Sequence, residues 1–359
     1  MGRLTRAAAL TPAPEVRRDT LARLRALDPT RWGIPLSASM LRETWQCALA
    51  GFSATPRGLD LHGRTVLIVG SANVYTALLP WMVLLTEAGA AVRVKPARGQ
   101  EDAVRAMAGA IAAESARRPA TKDRLTVLSW RGGNDDEAEA AAIRGVEAAI
   151  AFGGQEAIAA LRAKADVVAP GAQFFGFGPR FGIGVAEDLA DGDTADRVVR
   201  DALLYDGRGC MSPAAVFTAT SPRMALSRLS AAISDAEAWV KEPGALSDAE
   251  AAGIRERVML TRATGGLVVQ GQKGGHPNLT GPTLLYSPSH FRPFALPRVV
   301  VLHPMQLLPA VLDWQERLGT VAGDAPDLPA LRRCAVGEMQ IPVHDGTHEG
   351  IDVLGRISR

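Results

Sequence analysis

Residues 65–75 read Thr-Val-Leu-Ile-Val-Gly-Ser-Ala-Asn-Val-Tyr, and this stretch is the clearest indication of the fold class. Its first five residues form a short, mostly apolar run that ends at a glycine, which is typical of a buried strand in a parallel sheet. A helical pattern over residues 74–88 follows directly. The stretch therefore predicts a strand, a turn and a helix, which is the repeating unit of a doubly wound α/β domain.

The same alternation continues downstream. The predicted elements are strands over residues 91–95, 125–130 and 148–152 and helices over residues 101–113, 137–144 and 155–164. Upstream, residues 15–60 follow a helical pattern that is broken at Pro29, Pro35 and Pro56. Because strand and helix alternate repeatedly, the sequence predicts a doubly wound parallel sheet.

The pattern loosens after about residue 188, where a second α/β domain is expected. Its predicted elements are a helix over residues 193–205, a strand over 215–218 and a helix over 222–240. We therefore divide the 359 residues into a first domain with N-terminal helices, a second α/β domain and a C-terminal segment, at residues 1–188, 189–330 and 331–359. The last segment is expected to return to the first domain or to form an oligomer interface.

The composition argues against several classes of protein. Lys and Arg number 40 against 38 Asp and Glu, so no basic face for nucleic acid is expected. The three cysteines are too few and too far apart for a disulfide framework, and no Cys-x-x-Cys pair indicates a metal site. The longest apolar stretch, residues 77–85, is too short to span a bilayer. We therefore expect a cytoplasmic protein with reduced thiols.

Cys210 lies in the sequence Asp206-Gly-Arg-Gly-Cys-Met-Ser-Pro213. Glycines permit close backbone approach, so this segment could present the thiol and the backbone N–H of Cys210 to one substrate carbonyl. A cysteine can equally be a small buried apolar residue, and the glycine context alone leaves both interpretations open. For Cys47, inside a helical pattern, and for Cys334, beside two arginines, a structural role is favoured.

Asn73 follows the first predicted strand and precedes the first predicted helix of the sheet. An asparagine at the carboxyl end of a parallel strand is well placed to contact a ligand. An asparagine before a helix is also a common N-cap. From the residues alone, both roles stay open.

The residues around the thiol resemble a known motif. Gly207, Gly209, Cys210, Ser212 and Pro213 match the Gly-x-Gly-Cys-x-Ser-Pro pattern of the acyl-CoA reductase family, a branch of the aldehyde dehydrogenase superfamily that includes the fatty acid reductase of bacterial luminescence. The resemblance extends over roughly residues 60–350. It implies an aldehyde dehydrogenase-like fold, with a doubly wound cofactor domain and a second α/β catalytic domain. It also implies that Cys210 accepts the acyl group and that Asn73 donates to the oxyanion.

Two further segments resemble cofactor motifs of the superfamily. Val92-Arg-Val-Lys-Pro-Ala-Arg98 resembles the Lys-Pro-Ser/Ala-Glu motif that holds the adenosine ribose. Ala149-Ile-Ala-Phe-Gly-Gly-Gln-Glu156 resembles the Phe-Thr-Gly-Ser-x-Glu turn near the pyrophosphate. The implied cofactor-binding residues are Ser71, Lys95, Arg98, Gly153 and Gly154.

Arg98 bears on the choice of cofactor. NAD-preferring relatives often carry a glutamate at this position, which would repel a 2′-phosphate, whereas an arginine can pair with it. The resemblance therefore implies that the first domain binds NADPH in preference to NADH. The alternative is that Arg98 is only a solvated loop residue.

The glutamate that activates water in hydrolytic aldehyde dehydrogenases has no counterpart, because its position falls near Gly176. The resemblance thus implies an oxidoreductase that reduces an acyl-CoA or acyl-carrier-protein thioester to an aldehyde with NADPH. Arg208 is a candidate cation near the thiol, while His303 and His344 stay outside the core site.

Two other functions remain as alternatives. One is an NAD(P)-dependent aldehyde dehydrogenase that forms an acid or acyl-CoA. The other is a catalytically degenerate scaffold or binding subunit. The luminescence relative also implies an acyl-transferring synthetase as a partner, and a homo-oligomer is expected.

Overall fold

The computed structural model describes residues 14–52, 59–115, 124–130, 135–236, 246–270, 272–273, 276–277 and 281–359. These residues form two units. The first takes its described residues from 1–28, 51–178 and 343–359, and the second from 29–50 and 179–342.

A five-stranded parallel sheet forms the centre of the first unit, in the order β3-β2-β1-β4-β5. Its strands are β1 (Thr65–Val69), β2 (Ala91–Lys95), β3 (Leu125–Val127), β4 (Ala148–Phe152) and β5 (Gln173–Phe177). The central residues of β1 are fully buried, as expected for a parallel sheet covered on both faces. The strand order reverses between β1 and β4, and doubly wound sheets bind ligands outside the carboxyl ends of strands at such a point.

Helices and a short hairpin complete the first unit. They are α1 (Pro14–Arg25), α3 (Leu79–Glu87), α4 (Glu101–Ser115), α5 (Asp136–Ile143), α6 (Gln155–Val168), the hairpin β15 (Thr347–His348) and β16 (Ile351–Asp352), and α10 (Val353–Ile357).

The second unit is built on a seven-stranded sheet, in the order β14-β13-β6-β7-β12-β11-β8. The strands are β6 (Phe181–Val185), β7 (Pro213–Thr218), β8 (Leu267–Gln270), β11 (Thr283–Tyr286), β12 (Val299–Pro304), β13 (Leu318–Ala322) and β14 (Arg332–Cys334). All neighbours are parallel except β8, which runs antiparallel to β11. A small hairpin joins β9 (Gln272–Lys273) to β10 (His276–Pro277).

Helices flank this second sheet. They are α2 (Ala38–Ala50), α7 (Gly192–Leu203), α8 (Pro222–Asp235) and α9 (Asp248–Ala263), with 3₁₀ turns at Pro29–Arg31, Leu204–Gly207 and Met305–Arg317. One apolar cluster packs α7 and α8 on the sheet, and a second lies on the other face around Phe217 and Val311. The α/β fold class that the sequence predicts is therefore confirmed in both units.

Several predicted boundaries differ from the observed ones. The helix predicted over 74–88 begins only at Leu79, because Pro80 occupies its first turn, where proline is favoured. The strand predicted over 125–130 ends at Val127. The helix predicted over 222–240 ends at Asp235. Pro56 and residues 237–240 lie outside the described residues.

The division into units also differs from the domain limits expected from the sequence. Residues 181–185 form β6, which pairs with β7 and β13, so the second unit begins at residue 179 rather than 189. Residues 29–50 belong to the second unit as well. Within the C-terminal segment, residues 331–342 belong to the second unit and residues 343–359 to the first.

Candidate active site

Cys210 lies in the second unit, in the segment that joins α7 to β7. Its side chain is exposed, while Gly209 on one side and Ser212 on the other are buried. This exposure contradicts the interpretation of Cys210 as a small buried apolar residue. A thiol that reaches solvent from a buried segment is accessible to a substrate.

The backbone before the thiol is left-handed over three successive residues. Tyr205 and Asp206 have φ angles of 57° and 58°, and Gly207 has 70°. This conformation costs on the order of 1 kcal/mol or more for each residue other than glycine and persists only where the surroundings impose it. Strain of this kind clusters at functional sites.

A buried ion pair holds this strained turn. Arg298 donates to both carboxylate oxygens of Asp206, from Nε at 2.7 Å and from Nη2 at 2.8 Å, and both side chains are at most 5% exposed. The backbone N–H of Arg298 also donates to the carbonyl of Asp206 at 3.1 Å. A bidentate arginine–carboxylate pair fixes orientation as well as distance. The pairing of Asp206 with Arg298 could not be predicted from the sequence, because the two residues lie far apart in the chain.

Arg208 is paired with two carboxylates. It donates to Asp206 and, from Nε at 2.9 Å, to Glu250. Burial raises the pKa of Glu250, but the bonds from Arg208 and Ser247 outweigh it and hold the pKa at about 2. The charge of Arg208 is therefore offset locally, which weakens the expectation that it stabilises a thiolate.

A second buried polar group lies against the thiol segment. The side-chain amide of Gln340 donates to the carbonyl of Asp201 at 2.8 Å and to Oγ of Ser212 at 3.0 Å. The carboxylate of Asp201 accepts the backbone N–H groups of Gly337 at 2.6 Å and Met339 at 2.9 Å. Burial raises the pKa of Asp201 to about 6, even though these bonds favour the charged form.

In the first unit, Ser71 and Asn73 follow the carboxyl end of β1. Ser71 is half-buried and Asn73 is exposed. The N-cap residue of α3 is Leu78, so the alternative role of Asn73 as the cap of this helix is wrong. The buried side chain of Gln100 donates to the carbonyl of Ala72 at 2.8 Å and so holds this loop. No motif in the sequence pointed to Gln100.

Lys95 is the last residue of β2, next to β1 in the sheet. Its ammonium lies 5.6 Å from the ring centroid of Trp130, at a distance that permits a cation–π contact. Burial lowers the pKa of Lys95, against the attraction of two glutamates. Arg98 is exposed in the loop that follows β2.

Gly153 and Gly154 connect β4 to α6, and Gly154 is the N-cap residue of that helix. A Cβ atom at Gly154 would meet nothing within 4 Å, and the first residues of α6 are exposed. The unpaired N–H groups of a helix N-terminus attract phosphate. The turn therefore fits the pyrophosphate of a dinucleotide. Together with the residues after β1 and β2, it occupies one edge of the first sheet.

Gly176, near the position of the hydrolytic glutamate, lies in β5. A Cβ atom there would come within 2.5 Å of Cγ2 of Ile158. A larger side chain at this position would therefore require Ile158 of α6 to move. The local packing agrees with the absence of a water-activating carboxylate at Gly176.

His303 and His344, which were left outside the core site, are both buried. His303 is fully buried in β12, and Nδ1 bonds to the carbonyl of Ser287 at 2.8 Å. Burial lowers its pKa to about 4, so it is neutral at pH 7. It lies near the carboxyl end of β12, whereas Cys210 precedes the parallel strand β7. His344 is buried, with its ring centroid 4.4 Å from that of Phe52.

Comparison with known proteins shows the family to which the chain belongs. The sequence model of the acyl-CoA reductase (LuxC) family matches residues 37–359 of this chain. The chain belongs to the acyl-CoA reductase family. As a member of this family it is an oxidoreductase acting on the aldehyde group, as the sequence predicts. No curated protein matches it significantly.

Solved aldehyde dehydrogenases share the fold of this acyl-CoA reductase family member. Succinate-semialdehyde dehydrogenase from Burkholderia pseudomallei is 14% identical, with a TM-score of 0.62 over 89% of this chain and 77% of that one. An NAD-dependent benzaldehyde dehydrogenase from Corynebacterium glutamicum is 15% identical, with a TM-score of 0.61 over 93% and 84%. An aldehyde dehydrogenase from Brucella melitensis is 12% identical, with a TM-score of 0.64 over 90% and 76%. The predicted aldehyde dehydrogenase-like fold is confirmed.

The described part of the chain lacks both a candidate membrane span and a candidate metal site. None of its helices combines the length and the apolar character needed to cross a membrane. Its His, Cys, Asp and Glu side chains form no group of three or more that could hold a metal ion.

Proposed function

We propose that this protein reduces an acyl thioester to an aldehyde with NADPH, through a thioester formed on Cys210. The observation that carries the proposal is the exposed thiol at the end of a strained turn, in a chain of the acyl-CoA reductase family. A structural cysteine needs neither solvent access nor a strained approach. The substrate is an acyl-CoA or an acyl carrier protein thioester.

The cofactor proposal rests on the edge of the first sheet. Lys95 would hold the adenosine ribose, and Gly153 and Gly154 would admit the pyrophosphate at the N-terminus of α6. The exposed guanidinium of Arg98 supports NADPH, since it can pair with the 2′-phosphate that distinguishes this cofactor from NADH. When bound, NADPH supplies the hydride that reduces the thioacyl carbon.

The chain's own residues carry the acyl group. The thiolate of Cys210 attacks the thioester carbonyl, and the tetrahedral intermediate expels the carrier thiolate, which takes up a proton. The backbone N–H of Cys210 donates to the oxyanion, the family resemblance implies the same role for Asn73, and one such donor contributes about 3 kcal/mol. After reduction, the tetrahedral oxyanion collapses to the aldehyde and returns the thiolate of Cys210.

The packing around Gly176 supports reduction over hydrolysis. An enzyme that forms an acid needs a base to activate water against the thioacyl intermediate, whereas Gly176 supplies none and any side chain there would require Ile158 to move. The thioacyl enzyme then persists until it is reduced or transferred to a thiol.

Mass spectrometry of the protein after incubation with acyl-CoA in the absence of NADPH tests the proposal. We expect an acyl adduct on the wild type, none on Cys210→Ala, and an unchanged adduct on Cys334→Ala. Cys334 is a matched control, because it is also a thiol of the second unit, and burial raises its pKa to about 11. An adduct that survives in Cys210→Ala, or acyl-dependent NADPH oxidation by this variant, would overturn the proposal.

A second assay, with NADPH or NADH added to the acyl-CoA, distinguishes the cofactors and products. Acyl-dependent oxidation of NADPH should exceed that of NADH, and an aldehyde-trapping reagent should recover one aldehyde for each NADPH consumed. With an aldehyde and oxidised NAD(P) as the substrates instead, formation of free acid would favour an aldehyde dehydrogenase acting in the oxidative direction.

A further inference from the structure

A buried polar network connects the segment at residues 337–340 to the segment that carries the thiol. Gln340 is 1% exposed and Asp201 2%, and Ser212 is 4% exposed. Through its two amide hydrogens, Gln340 bonds to the main chain of α7 and to Ser212, which lies two residues after Cys210. One side chain therefore joins the end of α7 to the start of β7.

The oxygen of the same amide lies near Gly209, the residue before Cys210. A Cβ atom at Gly209 would lie 3.1 Å from Oε1 of Gln340 and 3.0 Å from Oγ of Ser212. This oxygen accepts no hydrogen bond from the residues that the structure describes. A side chain in place of Gly209 would thus crowd Gln340, which is also bonded to a residue shortly after Cys210.

Further contacts hold Gln340 in place. The carboxylate of Asp201 accepts the N–H groups of Gly337 and Met339, which lie three residues and one residue before Gln340. Arg332 donates to the carbonyls of Glu338, Met339 and Ile341 and approaches the sulfur of Met211 at 3.2 Å. The main chain around Gln340 is consequently fixed on both sides.

We propose that Gln340 is a positioning residue, which sets the geometry of the Cys210 thiol through Ser212 and Gly209, with Asp201 anchoring the main chain beside it. The inference rests on the proposed role of Cys210 as the acyl acceptor. It assigns to the 337–340 segment a positioning role that the sequence did not predict. A displacement of reacting atoms by about 1 Å can cost two orders of magnitude in rate, so the loss of this contact should be visible in acyl transfer.

Gln340→Met tests the proposal, because it keeps the length of the side chain and removes its hydrogen bonds. The rate of acyl transfer is measured as the burst of coenzyme A released from straight-chain acyl-CoAs without NADPH. We expect this rate to fall about tenfold or more, with little change in KM. Alkylation by iodoacetamide, which needs no aligned carbonyl, should stay within about threefold of the wild type.

Gln270→Met is the matched control. Gln270 also lies in the second unit, and its amide donates to Oγ1 of Thr283 at 3.2 Å, but on the edge strand β8. The rate of acyl transfer to Gln270→Met should equal that of the wild type. If Gln340→Met does not fold, Ser212→Ala removes the same contact from the other side with a smaller change in volume and should show the same selective loss.

The outcomes separate this inference from the proposed function. A wild-type protein that shows no burst overturns the role of Cys210 itself. A wild-type burst that Gln340→Met and Ser212→Ala retain at full rate overturns only the positioning role. A parallel loss of acyl transfer, alkylation and melting temperature in both variants would assign Gln340 to folding and overturn the positioning role as well.

Discussion

The turn at Gly153–Gly154 and the segment at Gly207–Gly209 both connect a helix and a strand through a pair of glycines, yet the two pairs serve opposite purposes. A Cβ atom at Gly154 would meet nothing within 4 Å. A Cβ atom at Gly207 would lie 3.0 Å from the backbone nitrogen of Arg298, and one at Gly209 would touch Ser212 and Gln340. The first pair leaves space outside the protein for a ligand, whereas the second lets the protein pack tightly beneath its own thiol.

The arginines near these two regions differ in the same way. Arg98 is exposed beside the first sheet, where its charge can reach an incoming anion. Arg298 is buried, and its charge is paired with that of Asp206. The same residue types, glycine and arginine, therefore form an open surface in one region and an internal support in the other. Only their surroundings distinguish the two roles.

The largest expected effect is on the buried ion pair. Arg298→Met leaves the carboxylate of Asp206 buried with only Arg208 to balance it, and breaking such a pair costs about 3 kcal/mol or more. Urea denaturation followed by tryptophan fluorescence should show this loss in the free energy of unfolding. The exposed Arg98→Met should change it by less than about 0.5 kcal/mol. Equal effects of the two substitutions would remove the distinction between the two arginines.

The second effect depends on pH. The pKa of Asp201 rises from 3.8 to about 6 in the folded protein, with burial as the main cause and Arg332 and Arg200 opposing it. Because folding favours the protonated acid, the stabilising contribution is complete below pH 3.8 and is lost as the pH rises through 6.

Asp201→Asn removes this contribution. The difference in unfolding free energy between the wild type and Asp201→Asn should therefore fall by up to about 3 kcal/mol between pH 4 and pH 7. Burial lowers the pKa of His303 to about 4, which gives a dependence of the opposite sign, but it is common to both proteins and cancels. Denaturation at a series of pH values measures the difference, and a constant difference would contradict the prediction.

The smallest expected effect is the loss of stability on replacing a glycine, which should differ between Gly209 and Gly154. Gly209→Ala must displace Ser212 or Gln340, and overpacking of this kind costs about 1–3 kcal/mol. Gly154→Ala meets open space and should leave the stability nearly unchanged, while raising the KM for NADPH. Thermal denaturation and cofactor titration check the two variants together. A stability loss in Gly154→Ala that matches that of Gly209→Ala would show that the turn before α6 is packed like the thiol segment.

Much of the fold could be predicted because it depends on local pattern. Strands β1, β2 and β4 are short apolar runs that end at turn residues, and their limits agree with the prediction to within one residue. The start of α3 was predicted too early, because the apolar periodicity of residues 74–78 resembles a helix although Pro80 determines the first turn. Local patterns indicate which elements exist more reliably than where they begin.

The candidate site could be predicted only in part. Cys210, Asn73 and the glycines stood out because each lies in a short motif. The roles of Gln100, Arg298 and Gln340 could not be predicted, because each acts on a segment at least 28 residues away in the chain. Such contacts leave no periodic or compositional signal in the residues on either side.

The sequence by itself determined the α/β class, the family and the positions of the candidate nucleophile and cofactor turn, since these depend on residue types at short spacing. Only the tertiary structure decided that Cys210 is exposed, that Asn73 does not cap α3, and that residues 29–50 belong to the second unit. It also decided which arginine is buried and which faces solvent. Burial and pairing depend on segments that meet only after folding, and the physical role of a glycine or a charge depends on what lies against it.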